Sequence, residues 1–149
     1  CGPRASELTG LDLADYDRQA GEIRIRHGKG DKPRRLGVPG LAAASLNHYI
    51  ARWRGQEEGP LFPGSLGVRL GYAGLLHLVR RLGAGVGVVG AHPHMFRHGF
   101  AVEFLLAGGP LPILQTLLGH SSIEQTARYL RTLQAEEATA RHRELFRAR

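Results

Sequence analysis

Apolar and polar residues alternate with a period of two in three places near the start of the chain: Asp15-Tyr16-Asp17, Glu22-Ile23-Arg24-Ile25-Arg26 and Arg35-Leu36-Gly37-Val38. Turn-rich stretches, Gln19-Ala20-Gly21 and Gly28 to Pro33, separate them, which predicts three short antiparallel strands joined by hairpins. In the second, Ile23 and Ile25 share one face and Arg24 and Arg26 the other, so one face is core. Beyond Pro39-Gly40 the period changes. Leu41, Leu46, Tyr49, Ile50 and Trp53 fit an amphipathic helix over 41–53, and Gly59-Pro60-Leu61-Phe62-Pro63 ends that unit. A second helix is expected over Tyr72–Leu82, with the glycine-rich Gly83–Gly90 as a loop. Pro93 opens a third helix, in which Met95, Phe96, Phe100, Val102, Phe104, Leu105 and Leu106 point in nearly every direction, predicting burial on most sides. Gly108-Gly109-Pro110 ends it. A short helix over Pro112–Leu118 stops at Gly119, and the capping box Ser122-x-x-Gln125 starts the helix that bears Tyr129. From Ala135 the tail is helical by propensity and highly charged. The fold class read from this pattern is α+β, mainly α, with a small three-stranded antiparallel sheet near the N-terminus.

Length and composition narrow the picture. The 149 residues suffice for one domain with its own core. A single cysteine excludes an internal disulfide, and neither an apolar run of membrane-spanning length nor a basic-then-apolar leader is present, so a reducing cytoplasmic setting with no membrane partner is expected. Twenty Lys and Arg against thirteen Asp and Glu give a net charge of +7, the electrostatic footprint of a nucleic-acid binder. Charge alone leaves open a basic surface that binds nothing in particular. Gly83-Ala84-Gly85-Val86-Gly87 lacks the strand-to-helix context of a dinucleotide fingerprint.

The chemistry-bearing residues concentrate in His94-Met95-Phe96-Arg97, Leu117-Leu118-Gly119-His120 and Thr126-Ala127-Arg128-Tyr129. A guanidinium suits a phosphate, imidazoles donate hydrogen bonds or move protons near neutral pH, and a phenol is an oxygen nucleophile. His94 and Arg97, three apart, share a helical face whose amino end offers donors to an anion. The competing idea is zinc, because His92, His94 and His98 cluster and His94 with His98 has ligand spacing. Against it, no Glu stands in the middle of that segment, no thiolate helps, and Arg97 between two ligands would repel a cation.

At these residues the sequence resembles the tyrosine recombinase family, the phage-integrase and Xer-type enzymes that cut and rejoin DNA through a phosphotyrosine link. Gly2-Pro3-Arg4-Ala5-Ser6-Glu7-Leu8 looks like the family's first-arginine motif, and Gly28-Lys29-Gly30-Asp31-Lys32-Pro33-Arg34 like its lysine hairpin. The resemblance implies Tyr129 as nucleophile, Arg4 and Arg97 as clamps on the phosphate oxygens, His94 and His120 as further donors, Lys29 as the acid for the leaving 5′ oxygen, and Glu7 as support. Three of them have a plainer use: Tyr129 as a buried structural tyrosine, Arg4 in an ion pair with Glu7, Lys29 as a solvated turn lysine whose role Lys32 could take. Arg24, Arg26, Lys32, Arg34, Arg35 and Arg128 are the expected DNA-binding cations. No cofactor or metal is implied.

The chain opens without an initiator methionine directly on a family-like motif. It therefore reads as an N-terminally truncated catalytic domain over residues 1–149, with the family's separate N-terminal DNA-binding domain absent. The partner implied is double-stranded DNA, with a homo-tetramer on DNA and a monomer without it. Two alternatives stand beside site-specific recombination: a type IB topoisomerase-like nicking-closing enzyme and a non-catalytic DNA-binding module. His92 stands where the family more usually has a small hydroxyl cap, and Gly99 replaces a commoner Thr, Ser or Ala.

Overall fold

The computed structural model describes residues 1–26 and 33–147; Lys29 and Lys32 lie outside the described residues. Strand β1 (Tyr16–Asp17), β2 (Glu22–Ile25) and β3 (Arg34–Gly37) form an antiparallel sheet in the order β1-β2-β3. Tyr16 pairs with Ile23, Ile23 in turn with Leu36, and Ile25 with Arg34. The expected alternation holds: Ile23, Ile25 and Leu36 are buried while Arg24 and Arg35 are exposed. Their cluster includes Leu11, Tyr16, Ile50 and Leu61.

Before the sheet, Ala5–Thr9 forms a one-turn helix, α1, that the hydrophobic pattern did not signal. Polar capping makes it: Glu7 in its first turn accepts a 2.7 Å hydrogen bond from the Arg4 backbone N–H. After the sheet, α2 (Gly40–Tyr49) runs into a π turn over Ile50–Arg54. Here the 41–53 expectation needs correction, because Leu41 is 89% exposed and Trp53 is also exposed. Leu41 lies nine residues before the buried Ile50, about two and a half turns away and so on the opposite face. The π turn, closed by Gly55 N–H donating to Ile50 O at 2.9 Å, shifts the helical phase before Trp53.

Helix α3 (Tyr72–Gly85) outlasts its predicted end at Leu82. Gly83 is buried within it, and a Cβ placed there would stand 2.5 Å from that of Ala91 and 2.9 Å from the Val88 carbonyl oxygen. The glycine is there for close approach rather than to break the helix. Helix α4 (Pro93–Leu106) starts at Pro93 as expected, and His92 makes no side-chain cap. Its burial is narrower than predicted: Arg97 and Ala101 are buried, whereas Phe96 is 68% exposed and Met95 and Leu106 are exposed too. Short α5 (Leu111–Leu118) and long α6 (Ile123–Arg147), together with α3, contact α4 without enclosing it. The charged tail is thus one continuous helix with the segment bearing Tyr129.

Helix α5 joins the two halves of the molecule. Leu117 packs against the sheet cluster, whereas Leu118 belongs to the helical cluster of Ala101, Leu114 and Tyr129. The helix ends at Gly119 with φ +62°, a left-handed stop that glycine adopts without a Cβ penalty.

Candidate active site

A cavity of about 460 Å³ is lined by Arg4, Ser6, Tyr72, His94, Arg97, His120 and Gln125, among others. Four of the predicted catalytic residues, from α4, the segment before α1 and the turn after α5, therefore meet at one place. The amino end of α4 opens on it through Pro93 and His94, adding the positive end of the helix dipole.

The guanidiniums are held by backbone carbonyls. Three consecutive carbonyl oxygens at the end of α5, which have no partner within the helix, each accept from a different arginine. Arg34 Nε donates to Leu117 O at 2.9 Å, Arg97 Nη2 to Leu118 O at 2.6 Å and Arg4 Nη2 to Gly119 O at 2.9 Å. Arg97 Nη1 also donates to Gly2 O at 2.7 Å, and only 3% of Arg97 is exposed. Burial, then the Arg4 charge, lower the Arg97 pKa from its ordinary value.

Glu7 is the carboxylate of this cluster. Its oxygens accept from the Arg4 backbone N–H and Arg4 Nη1, and from Arg34 Nη1 and Nη2 at 2.9 and 2.7 Å. Burial alone would raise its pKa; hydrogen bonds from Arg34 and Arg4 outweigh that and hold it at about 2. Two guanidiniums bond this one carboxylate while Arg97 is held by carbonyls alone, an excess of positive charge that suits an anion.

His94 lines the cavity with its pKa lowered, first by burial and then by the charges of Arg97, His92 and His98. His120 Nδ1 shares a 2.8 Å hydrogen bond with the hydroxyl of the fully buried Thr126, which fixes its ring. Tyr129 does not itself line the cavity. The residue is 8% exposed, its ring stacked within 8° of parallel on His120 with centroids 6.3 Å apart, and 5.2 Å from the ring of His98. The carboxylates and histidines do not gather into a metal site: among the described residues, no group of three or more His, Cys, Asp and Glu is placed to hold an ion.

The expected DNA-binding cations divide. Arg24 and Arg35 are cross-strand partners on the exposed face, where like charges directly opposite repel. Arg35 also pairs with Glu22 at 3.4 Å. Arg26 is engaged by Asp12 and Asp15. Arg34 points the other way from its expected place, inward, with 10% of its side chain exposed. It is in phase with buried Leu36, so the period of two already carried that signal. Arg128 makes an interaction of its own. The sequence reading passed over Tyr72, Ser6 and Gln125 on the cavity wall, Thr126 behind His120, and His98 as the neighbour of Tyr129.

Residues 1–136 match the phage integrase family. The chain belongs to that family. Among curated members, this integrase-family chain is 37% identical over 133 residues to tyrosine recombinase XerC of Shewanella amazonensis, covering 87% of the chain and 44% of that protein. It is 41% identical over 132 residues to XerC of Pseudomonas aeruginosa, covering 86% and 43%. Of solved structures, the crystal structure of XerA recombinase superposes with a TM-score of 0.80 at 30% identity, over 91% of this chain and 52% of that one. XerH site-specific recombinase bound to palindromic difH substrate, a post-cleavage complex, superposes with a TM-score of 0.75 at 27% identity, over 93% and 42%. The chain spans less than half the length of the curated relatives it matches. Both the helical majority and the three-stranded sheet are features of this fold, as read from the sequence.

Proposed function

We propose that residues 1–149 form the catalytic domain of a tyrosine site-specific recombinase, which cleaves and rejoins double-stranded DNA through a 3′-phosphotyrosyl intermediate. One observation carries this reading: Arg4, His94, Arg97 and His120, separated widely in sequence, line one electropositive cavity beside Tyr129. Arg4 and Arg97 clamp the non-bridging oxygens of the scissile phosphate, and His94 and His120 donate further hydrogen bonds. Preorganised donors of this kind stabilise the charge that develops at phosphorus. The Tyr129 oxygen, giving up its proton to solvent, attacks phosphorus; the bond from phosphorus to the 5′ oxygen breaks, and that oxygen takes a proton from Lys29. Because Tyr129 is buried beside His120, cleavage requires the start of α6 to bring the phenol into the cavity. Religation is the same sequence in reverse, so the bond energy stays in the phosphotyrosine and no cofactor enters. Arg24 and Arg35, like charges side by side on the sheet, are stabilised when a DNA backbone lies across them. The working assembly is a homo-tetramer on two duplexes, acting on DNA in the cytoplasm.

The test incubates the protein with nicked suicide duplexes carrying candidate sites. A denaturant-resistant protein–DNA adduct that disappears in Tyr129→Phe, with duplex affinity retained, is expected. Binding without an adduct on any duplex would reduce the protein to a DNA-binding module. Relaxation of supercoiled plasmid with little sequence preference would instead mark a topoisomerase-like enzyme.

A further inference from the structure

We infer that Arg34 is a positioning residue for strand cleavage: it holds Glu7 and the end of α5 in register, and through them Arg4 and His120, without touching the scissile phosphate. The inference rests on the recombinase reading of the cavity and adds a component to it. Every donor that the structure assigns to Arg34 is directed into the protein, with Nε on Leu117 O and the two terminal nitrogens on the two oxygens of Glu7. Planar bidentate contact of this kind fixes a carboxylate in orientation as well as in place, which a lysine cannot do. Glu7, so fixed, takes the Arg4 guanidinium on Oε1 and the Arg4 backbone N–H on Oε2. Arg34 does not line the cavity, whereas Arg4 and His120 do.

Gly119 supplies the second line of argument. A Cβ there would lie 2.9 Å from Arg34 Nη1 and 3.0 Å from Cζ, so the guanidinium is packed flat on the very residue that precedes His120. It is pinned there by its three acceptors and cannot swing aside as a free arginine tip would. Arg34 also begins β3, the strand that follows the segment containing Lys29. One side chain therefore ties the strand after the lysine segment, the support of the first arginine and the turn carrying the second histidine.

The experiment compares wild type with Arg34→Ala and Arg34→Lys in three readouts: affinity for a duplex by anisotropy, adduct formation on a nicked duplex, and titration of the Glu7 carboxyl by NMR. Adduct formation is expected to fall at least tenfold in both variants while affinity changes less than threefold. The Glu7 carboxyl is expected to titrate at a higher pH than in wild type, most in Arg34→Ala. If affinity falls in step with adduct formation, Arg34 is a DNA contact and the inference is wrong. It is equally wrong if adduct formation persists at the wild-type rate, or if Glu7 titrates unchanged. Should Arg34→Ala not fold, Arg34→Lys, which keeps the charge but not the fork, carries the comparison. Should wild type form no adduct on any duplex, the recombinase reading fails; inorganic phosphate, followed through the His94 and His120 ring resonances, then replaces DNA. A loss of phosphate affinity of about tenfold in Arg34→Lys, with the wild-type Arg34 side-chain resonances unmoved by phosphate, would still support positioning of an anion site; unchanged affinity, or Arg34 resonances that move with phosphate, would overturn it.

Discussion

Arg97 combines two duties that conflict. Its two carbonyl contacts lock the segment at Gly2 to the end of α5, and under the proposed function the same guanidinium also offers donors to a phosphate. Arg97→Lys keeps a charge but not the fork, and losing one preorganised donor commonly costs about 2.7–4 kcal/mol. Adduct formation on a nicked duplex should therefore drop by about 10²–10³ in that variant. Glu7 supports a pH prediction. Its carboxyl titrates at about 2 in the folded protein against 4.5 ordinarily, so the stabilisation is complete above about pH 4.5 and is lost as pH falls through about 2. The shift corresponds to about 3 kcal/mol, and Glu7→Gln should remove that acid-side dependence from denaturant melts. His94 shifts in the opposite functional sense: its pKa is lowered by burial and neighbouring cations, which favours the neutral ring. An anion in the cavity favours the protonated ring, so NMR titration should show the His94 pKa rising when duplex DNA is bound.

At the scale of elements, the short helix α5 matters more than its length suggests. Gly119 carries a positive φ and lies under the Arg34 guanidinium, so Gly119→Ala meets backbone strain of about 1–2 kcal/mol and a blocked position as well. Thermal melts should show the loss of stability, and adduct formation should fall further than stability alone explains. The elements were legible to different degrees. Strands, the start of α4 at Pro93 and the stop at Gly119 follow from period and backbone chemistry, which are local. The continuation of α3 to Gly85 was not legible, because Gly83 reads locally as a breaker and only the approach of Ala91 and Val88 gives it another reason. Leu41, Trp53 and Phe96 mark the same limit: hydrophobicity says that a side chain favours burial, not that a neighbour arrives to cover it. The candidate site was readable as a set of residue types in order, whereas the inward turn of Arg34 was available from strand phase and was masked by its place in a basic run.

For the whole molecule, the excess of cations should govern affinity for DNA. Log affinity is expected to fall linearly with log salt, and removing Arg24 and Arg35 together should reduce the magnitude of that slope by about 2 if each neutralises one phosphate. The paired arginines make a sharper case than net charge, since their mutual repulsion on the sheet is relieved by a polyanion.

The three carbonyls at the end of α5 reach guanidiniums 83, 21 and 115 residues away along the chain. A nascent polypeptide whose residues 111–119 are still inside the ribosome can pair Arg4 and Arg34 with Glu7 but lacks the carbonyls that fix either guanidinium, or that of Arg97, at the end of α5. The cluster of three guanidiniums is thus completed only after residues 111–119 have emerged and folded, an order of assembly that arises from connectivity alone.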